Sequence, residues 1–141
     1  MSNIKDGNAF EREFCILLAE NGFWVHRLNQ NVAGQQPADV IAIKGNLHTL
    51  IDCKVCSTAY GFRFSRVEDN QRSAMELFER KTGRPCWFAL KLPDGQIRML
   101  RYRWVPIQEE RGHKGIKPGD IPWITTSFQN WLEAVNGDNH F

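Results

Sequence analysis

The sequence has no long hydrophobic run, since no apolar stretch approaches the roughly 20 residues that a membrane-spanning helix needs. Its first residues, MSNIKDGNAF, lack the basic segment and following apolar run of a secretory signal peptide. Repeats, low-complexity tracts and linkers are also missing. These absences argue against helical membrane proteins, secreted proteins and repeat proteins. We therefore expect a cytoplasmic protein whose 141 residues form one domain, 1–141.

A strong excess of either charge is missing as well. The 18 Lys and Arg residues nearly balance the 16 Asp and Glu residues, for a net charge of +2. Bulk charge therefore neither requires nor excludes a nucleic-acid partner. Basic residues nevertheless gather in the segments FRFSR, IRMLRYR and RGHKGIK. These local basic loops are available to a polyanion.

Cysteine is scarce, with four residues in the chain. Cys53 and Cys56 form one C-x-x-C pair, a spacing that occurs in zinc and redox sites. A zinc site would need a second ligand pair at similar spacing, and the sequence has none. Buried thiols are therefore favoured over a metal–thiolate or redox site.

Apolar periodicity predicts the first half of the fold. Apolar residues recur at helical spacing from about residue 8 to residue 20, and an Asn-Gly pair ends this helix. Residues 23–28 predict a short strand. Two apolar runs joined by a Gly-Asn turn at positions 45 and 46 then predict a β-hairpin.

The second half begins with Ser65 and Glu68, whose spacing fits a capping box, and Gly83 ends the helix that follows. The segments CWFALKL and IRMLRYRW, joined by PDGQ, predict a second hairpin. RGHKGIKPGD is a Gly-rich loop, and SFQNWLEAVNG predicts a closing helix. This order predicts an α/β fold with a central mixed β-sheet flanked by α-helices.

The first hairpin carries charges at unusual positions. With a two-residue loop, residues whose numbers sum to 91 face each other, so Asp39 lies opposite Asp52. Lys54 shares their face, and Cys53 points to the other. Two such carboxylates repel by roughly 4 kcal/mol at about 4 Å and an effective dielectric of about 20. A raised pKa, a nearby cation or both must offset this cost.

Lys54 supplies one positive charge to this face, and a divalent ion would supply two more. Hard oxygen ligands favour Mg²⁺ or Mn²⁺. The alternative is a solvated hairpin face on which Lys54 bridges Asp39 and Asp52.

Two helical residues are predicted to point inward. Glu11 lies in the apolar stripe of the first helix, and Gln71 lies on the apolar face of the second. Polar groups directed inward from both helices suggest one shared site with the hairpin. The alternative for each is a tolerated polar residue at the edge of a stripe.

These residues resemble a known pattern. Pro37-Ala38-Asp39, a gap of 12 residues and Asp52-Cys53-Lys54 resemble the PD-(D/E)XK nuclease motif. The segments Gly7 to Glu11 and Asn70-Gln71 are similar to those of Holliday junction resolvases in that superfamily, notably RecU-type enzymes and archaeal Hjc. The resemblance runs from about residue 7 to residue 135.

The resemblance implies a restriction-endonuclease-like fold and Mg²⁺-dependent hydrolysis of DNA phosphodiester bonds, leaving 5′-phosphate and 3′-hydroxyl ends. Asp39 and Asp52 would bind Mg²⁺, or Mn²⁺ as its substitute, together with the backbone carbonyl of Cys53. Glu11 would complete or support the metal site.

In the same family pattern, Lys54 would orient the attacking water and stabilise developing charge, while Gln71 would position the water or Lys54. The sequence departs from RecU-type enzymes at two places. Asp52 stands where those enzymes carry Glu, and only residues 29–36 fill the place of their long stalk.

Basic and aromatic residues after the motif predict the DNA contacts. For each of them the alternative is an ordinary solvated side chain. The predicted DNA-binding residues are Tyr60, Arg63, Arg66, Arg111, Lys114 and Lys117, with Phe62 as a further candidate for sugar or base contacts.

The leading hypothesis is a Mg²⁺-dependent, homodimeric Holliday junction resolvase that acts on branched DNA in recombination and repair. A second hypothesis keeps the chemistry but assigns a fork, flap or duplex substrate in phage or mobile-element metabolism. A third is a non-catalytic DNA-binding module on the same fold. The intact set of Glu11, Asp39, Asp52 and Lys54 argues against this third hypothesis.

Overall fold

The structure is a computed structural model that describes residues 3–28 and 38–136. No helix in these ranges is long and apolar enough to cross a membrane. The helices of the described residues are α1 (Asn3–Glu20), α2 (Asp69–Thr82), α3 (Trp104–Glu110), α4 (Ile121–Ile124) and α5 (Phe128–Asn136). The strands are β1 (Trp24–Arg27), β2 (Val40–Lys44), β3 (Leu47–Val55), β4 (Phe62–Arg63), β5 (Trp87–Lys91), β6 (Ile97–Arg101), β7 (Gly115–Ile116) and β8 (Thr126–Ser127).

Six strands form one mixed sheet in the order β1-β2-β3-β5-β6-β8. The central strands β3 and β5 run parallel, and the other neighbouring pairs are antiparallel. In the β2–β3 hairpin, Val40 lies opposite Ile51 and Ile43 opposite His48. The register predicted from the Gly-Asn turn is therefore confirmed. The connection from β3 to β5 contains α2, because parallel neighbours need a crossover.

The sheet separates two apolar clusters. On one face, Phe14 of α1 and Trp131 of α5 pack with Ile51 of β3. On the other face, Met75 of α2 belongs to the cluster that contains Leu50 of the same strand. Consecutive residues of β3 join different clusters because side chains alternate across a strand. The predicted class, α/β with a central mixed sheet flanked by helices, is confirmed.

A separate two-stranded ribbon pairs β4 with β7 in antiparallel fashion. Glycine is required at two close approaches in it. A Cβ added to Gly61 would lie 2.2 Å from the carbonyl oxygen of Ile116, and one added to Gly115 would lie 2.7 Å from that of Phe62. Gly61 also has a φ of +63°, a left-handed conformation that favours glycine. The ribbon thus fixes the segment that follows Tyr60 against the basic loop around residue 115.

Two helix starts differ from the sequence prediction. α1 begins at Asn3 rather than near residue 8, because its first six residues, NIKDGN, include too few apolar residues for periodicity to mark these turns. α2 begins after Glu68 rather than after Ser65, since residues 64–66 form a separate 3₁₀ turn. The reciprocal capping box is made by Glu68 and Gln71.

The strand predicted over IRMLRYRW ends at Arg101. The last residue of that predicted segment, Trp104, begins helix α3. Pro106 lies in the first turn of this helix, where its missing N–H costs no intrahelical hydrogen bond. The predicted loop RGHKGIKPGD contains β7 and a 3₁₀ turn at Pro118–Asp120.

Candidate active site

Asp39 and Asp52 meet at the open end of the β2–β3 hairpin. Asp39 precedes β2 by one residue, and its backbone N–H donates to the carbonyl of Ile51 at 3.2 Å. Continuing the observed register by one step places Asp39 opposite Asp52, and the charge of Asp52 helps to raise the pKa of Asp39. The backbone N–H of Cys53 also donates to Oδ2 of Asp39 at 2.8 Å. Asp52 itself is 1% exposed.

The electrostatics of this pair follow from its burial. The pKa of Asp39 is raised to about 8, first by burial and then by the negative charges of Asp52 and Glu11. The hydrogen bond from Cys53 acts in the opposite direction, because it stabilises the charged carboxylate. Asp39 therefore holds its proton near neutral pH unless a cation is present. The raised pKa is one of the two offsets that facing carboxylates on the hairpin require.

Lys54 provides one positive charge beside the pair. Its Nζ atom lies 3.0 Å from Oδ2 of Asp52 and donates a 3.1 Å hydrogen bond to the carbonyl of Arg66. Asp52 and Lys54 lie on the same side of β3, as their spacing of two predicts. The carbonyl contact anchors the ammonium group at the wall of the cleft.

Gln71 holds Asp52 from the side of α2. Its Nε2 donates to Oδ1 of Asp52 at 3.0 Å, and its Oε1 accepts the backbone N–H of Glu68 at 3.3 Å. The capping box therefore orients the amide, and the amide in turn orients one oxygen of the carboxylate. The structure brings Gln71 to the hairpin charges, as the inward face of the helix suggested.

Glu11 reaches the site from the opposite face of the sheet. The side chain is buried, and it accepts a hydrogen bond from Nε of Arg27 on β1. This hydrogen bond is the main reason why the pKa of Arg27 is raised. Sequence reasoning missed Arg27, although a basic residue at the end of the strand after an inward-facing glutamate was an available signal.

One cleft of about 610 Å³ contains all five predicted catalytic side chains. It lies where the hairpin, α1 and the start of α2 meet. Asn8 and Glu68 also line it, and neither was predicted. The predicted residues along its wall are Glu11, Asp39, Asp52, Lys54, Gln71, Cys53, Tyr60, Arg63 and Arg66.

The donor set of the cleft fits a hard divalent cation. Apart from the ion pair with Lys54, Oδ2 of Asp52 is buried without a hydrogen-bond partner in the described residues. A carboxylate oxygen carries a second lone pair besides the one that faces the ammonium group, and a metal ion can bind there. Within residues 3–28 and 38–136, no three His, Cys, Asp or Glu side chains cluster as metal ligands. Two carboxylates with water or phosphate oxygens match the way Mg²⁺ is usually held.

The cysteines lie apart from this carboxylate chemistry. All four thiols are free, and Cys53, Cys56 and Cys86 are buried. Burial raises the pKa of Cys56 to about 11 and that of Cys86 to about 12. Cys53 packs in the cluster under α1, away from Asp52 and Lys54. These buried thiols are therefore protonated and unreactive near neutral pH.

The predicted DNA-binding residues divide between the cleft and a second groove. Tyr60 and Arg63 line both, because the segment that contains them separates the cleft from the groove. This groove has a volume of about 1250 Å³, and Lys114 and Lys117 line its other wall. Arg111 is exposed but lines neither concavity.

Phe62 does not fit its predicted role in sugar or base contacts. It is fully buried and packs against Phe64 and Phe88 in the core on the α2 side. Alternation along β4 explains the error, since Phe62 faces the core and Arg63 faces solvent. The stalk position, residues 29–36, lies outside the described residues.

Two comparisons with known proteins found matches for this chain. The model of the archaeal Holliday junction resolvase (Hjc) family matches residues 2–117. Among solved structures, the chain is similar to Hjc of Archaeoglobus fulgidus, a Holliday junction resolvase from an archaeal hyperthermophile. The TM-score is 0.64 at 21% identity, and the match covers 92% of this chain and 98% of that chain. No curated protein is significantly similar in sequence.

Proposed function

The chain belongs to the archaeal Holliday junction resolvase (Hjc) family, and we propose that it is a Mg²⁺-dependent endonuclease that resolves four-way DNA junctions in recombination and repair. Enzymes of this family cleave DNA junctions and depend on metal ions. The observation that carries the proposal is the convergence of Glu11, two facing aspartates, Lys54 and Gln71 in one cleft.

Asp39 and Asp52 would hold the metal ion, with the carbonyl of Cys53 and the carboxylate of Glu11 in support. When bound, Mg²⁺ supplies Lewis acidity that activates water and offsets phosphate charge. Gln71 keeps Oδ1 of Asp52 in a fixed orientation through its 3.0 Å hydrogen bond. Arg27 holds Glu11 through its ion pair, so this carboxylate is kept in one orientation at the edge of the site.

Lys54 has the chain's own charge-stabilising role. Its ammonium group is anchored by Asp52 and by the carbonyl of Arg66, which leaves a third donor for a water or a phosphate oxygen. Charge placed in advance at a partly buried position stabilises a developing negative charge without reorganisation. Water adds to phosphorus, the bond to the 3′ oxygen breaks, and the products carry 5′-phosphate and 3′-hydroxyl ends.

DNA would approach through the basic residues around the cleft. Arg63 and Arg66 lie beside the site, while Lys114 and Lys117 extend the positive surface into the neighbouring groove. Such side chains contact phosphates and set the position of the duplex without reading its sequence. Arg111 is exposed and precedes the groove residue Gly112, so it would extend the same basic surface.

Resolution requires cuts in two opposed strands, whereas the described chain has one such cleft. A two-fold homodimer of single-domain subunits supplies two clefts in opposed orientation. We expect the dimer mass in sedimentation at micromolar concentration, both alone and on a junction. A monomer in both conditions would contradict the paired-cut mechanism.

The substrate is tested by comparing end-labelled four-way junction, replication fork, flap and linear duplex, each with Mg²⁺ or with EDTA. Symmetric nicks in the junction alone, dependent on Mg²⁺, are the expected result. Equal cutting of the fork, flap or duplex would instead assign a broader nuclease. Junction binding without cleavage under any divalent ion would indicate a DNA-binding module.

A further inference from the structure

The ring of Tyr60 lies on the boundary between the catalytic cleft and the second groove. The residue lines both concavities and is 59% exposed. It belongs to the segment that joins the motif strand β3 to β4, so it lies close to Lys54 along the chain. A strand of DNA that passes from the cleft into the groove on this side would run beside this ring.

The backbone around Tyr60 is held in place. Its N–H donates to Oγ of Ser57 at 3.0 Å, and the N–H of Gly61 donates to the carbonyl of Ser57 at 3.2 Å. Beyond Gly61 the β4–β7 ribbon continues without room for a Cβ at this glycine. An exposed aromatic ring on such a rigid turn loses little conformational freedom when a ligand stacks on it.

Arg63 occupies one face of the ring. The guanidinium carbon lies 3.9 Å from the ring centroid, a cation–π contact. Because more than half of Tyr60 is exposed, the opposite face is open to solvent. The pair therefore presents an aromatic surface with a cation behind it, the combination that single-stranded nucleic-acid sites use for bases.

The groove beyond the ring is suited to a phosphate chain. Lys114 and Lys117 line it, and both are exposed. Of its two acidic residues, Glu109 is neutralised by Arg72 through hydrogen bonds of 2.6 and 3.0 Å, which leaves Asp69. The remaining charge of the groove is positive and is continuous with that of the cleft through Arg63.

We infer that Tyr60 stacks on a nucleobase that leaves the duplex stack beside the scissile phosphate, while the adjoining strand runs along the Lys114 side of the groove. This inference rests on the proposed nuclease function. Unstacking costs least where a base has already lost neighbours. A branch point therefore delivers such a base more cheaply than a continuous duplex, and the ring contributes to junction selectivity.

The test couples a protein change to a DNA change. Tyr60→Ala should slow junction cleavage about 10- to 100-fold, the usual effect of removing one aromatic base contact. Tyr60→Phe keeps the ring and should cleave within about twofold of wild type. A set of junctions then carries one abasic residue at each of the positions that flank the cut. When the abasic residue is at the stacked position, wild-type protein should cleave that junction as slowly as Tyr60→Ala cleaves the intact one. The same abasic residue should slow Tyr60→Ala itself by less than about twofold.

Trp123→Ala is the matched control, since Trp123 is 87% exposed and lines neither the cleft nor the groove. This variant should cleave at the wild-type rate. The inference is overturned if Tyr60→Ala cleaves normally, or if its defect is equal on intact junctions and on every abasic junction. Wild-type protein that does not cut the intact junction with Mg²⁺ would refute the proposed function instead, so the two failures are distinguishable.

Discussion

The catalytic cleft and the second groove share Tyr60 and Arg63 but differ in how their acidic side chains are compensated by basic ones. In the groove, Arg72 donates two hydrogen bonds to Glu109, and this interaction is the main reason that the pKa of Arg72 is raised. In the cleft, two aspartates face each other, and one lysine is ion-paired to Asp52.

The difference shows where an external cation is needed. A carboxylate that is paired with a basic side chain, as Glu109 is with Arg72, does not need a bound cation. The cleft sets two carboxylates against one lysine, and the pKa of Asp39 is raised to about 8, so full ionisation of the pair stays unfavourable until a further cation binds. Five predictions test this contrast.

The largest effect is expected from removing a charge of the cleft. Asp39→Asn should reduce junction cleavage by more than about 1000-fold, because the metal site acts as a unit. Lys54→Ala should cost about 100- to 1000-fold, as removal of a preorganised charge does. Electrophoretic binding to the uncut junction should stay close to wild type for both. Glu110→Gln is the control, since this exposed acid lies outside the cleft; substantial activity in either cleft variant would refute the assignment.

Gln71→Ala should have the next largest effect, about 10- to 100-fold on cleavage, because a group that orients a metal ligand is removed. The concentration of Mg²⁺ that gives half-maximal rate should rise with it, which a purely structural role would not cause. Ser73→Ala, an exposed change on the same helix, is the matched control. An unchanged Mg²⁺ requirement would show that Gln71 does not act through Asp52.

The dependence of stability on pH should reveal the raised pKa of Asp39 in the cleft without any measurement of activity. Native Asp39 keeps its proton up to about pH 8, whereas an unfolded aspartate releases it near pH 4. The native state therefore binds more protons in this window, and stability falls as pH rises through it.

In EDTA, we expect the wild-type melting temperature to fall by several degrees between pH 5 and pH 8. Asp39→Asn should flatten this slope because an amide does not titrate. Mg²⁺ should raise the melting temperature more at pH 8 than at pH 5, since it binds the deprotonated pair. A wild-type slope unchanged by the substitution would exclude Asp39 as its source.

Changes at the basic wall of the groove should weaken binding modestly. Lys114→Ala with Lys117→Ala should reduce the slope of log K against log salt by about 0.9 for each DNA phosphate that these lysines neutralise. The matched control removes two exposed charges at the end of α2, Arg80 and Lys81, which line neither concavity. An equal slope in both double variants would show that the DNA does not contact the lysines of the groove.

The smallest effect is expected at the compensated pair. Glu109→Gln should cost no more than about 1 kcal/mol in urea unfolding, because Arg72 and Glu109 are partly exposed to solvent. Cleavage should not change. Asp39→Asn should instead stabilise the protein at pH 8 in EDTA, so the two substitutions should act in opposite directions. Destabilisation by both would contradict the contrast between the two regions.

Local pattern accounted for the part of the site that lies on one hairpin. A two-residue turn and the alternation of side chains determine which residues face each other, so Asp39, Asp52 and Lys54 followed from residue numbers alone. Helical periodicity likewise directed Glu11 and Gln71 inward. These relations span few residues, and the backbone geometry that governs them is nearly the same in every protein.

Long-range packing decided the rest. The ion pair of Glu11 with Arg27 depends on how α1 lies across β1, and the groove exists because the ribbon joins segments more than 50 residues apart. Packing also separated Phe62, buried in the core, from Tyr60, exposed at the cleft, although both stand in one aromatic stretch. The sequence by itself determined the two facing carboxylates and their need for a cation. Only the tertiary structure decided which surface lies beside them, because that surface is formed by long-range contacts that helix and strand periodicity cannot predict.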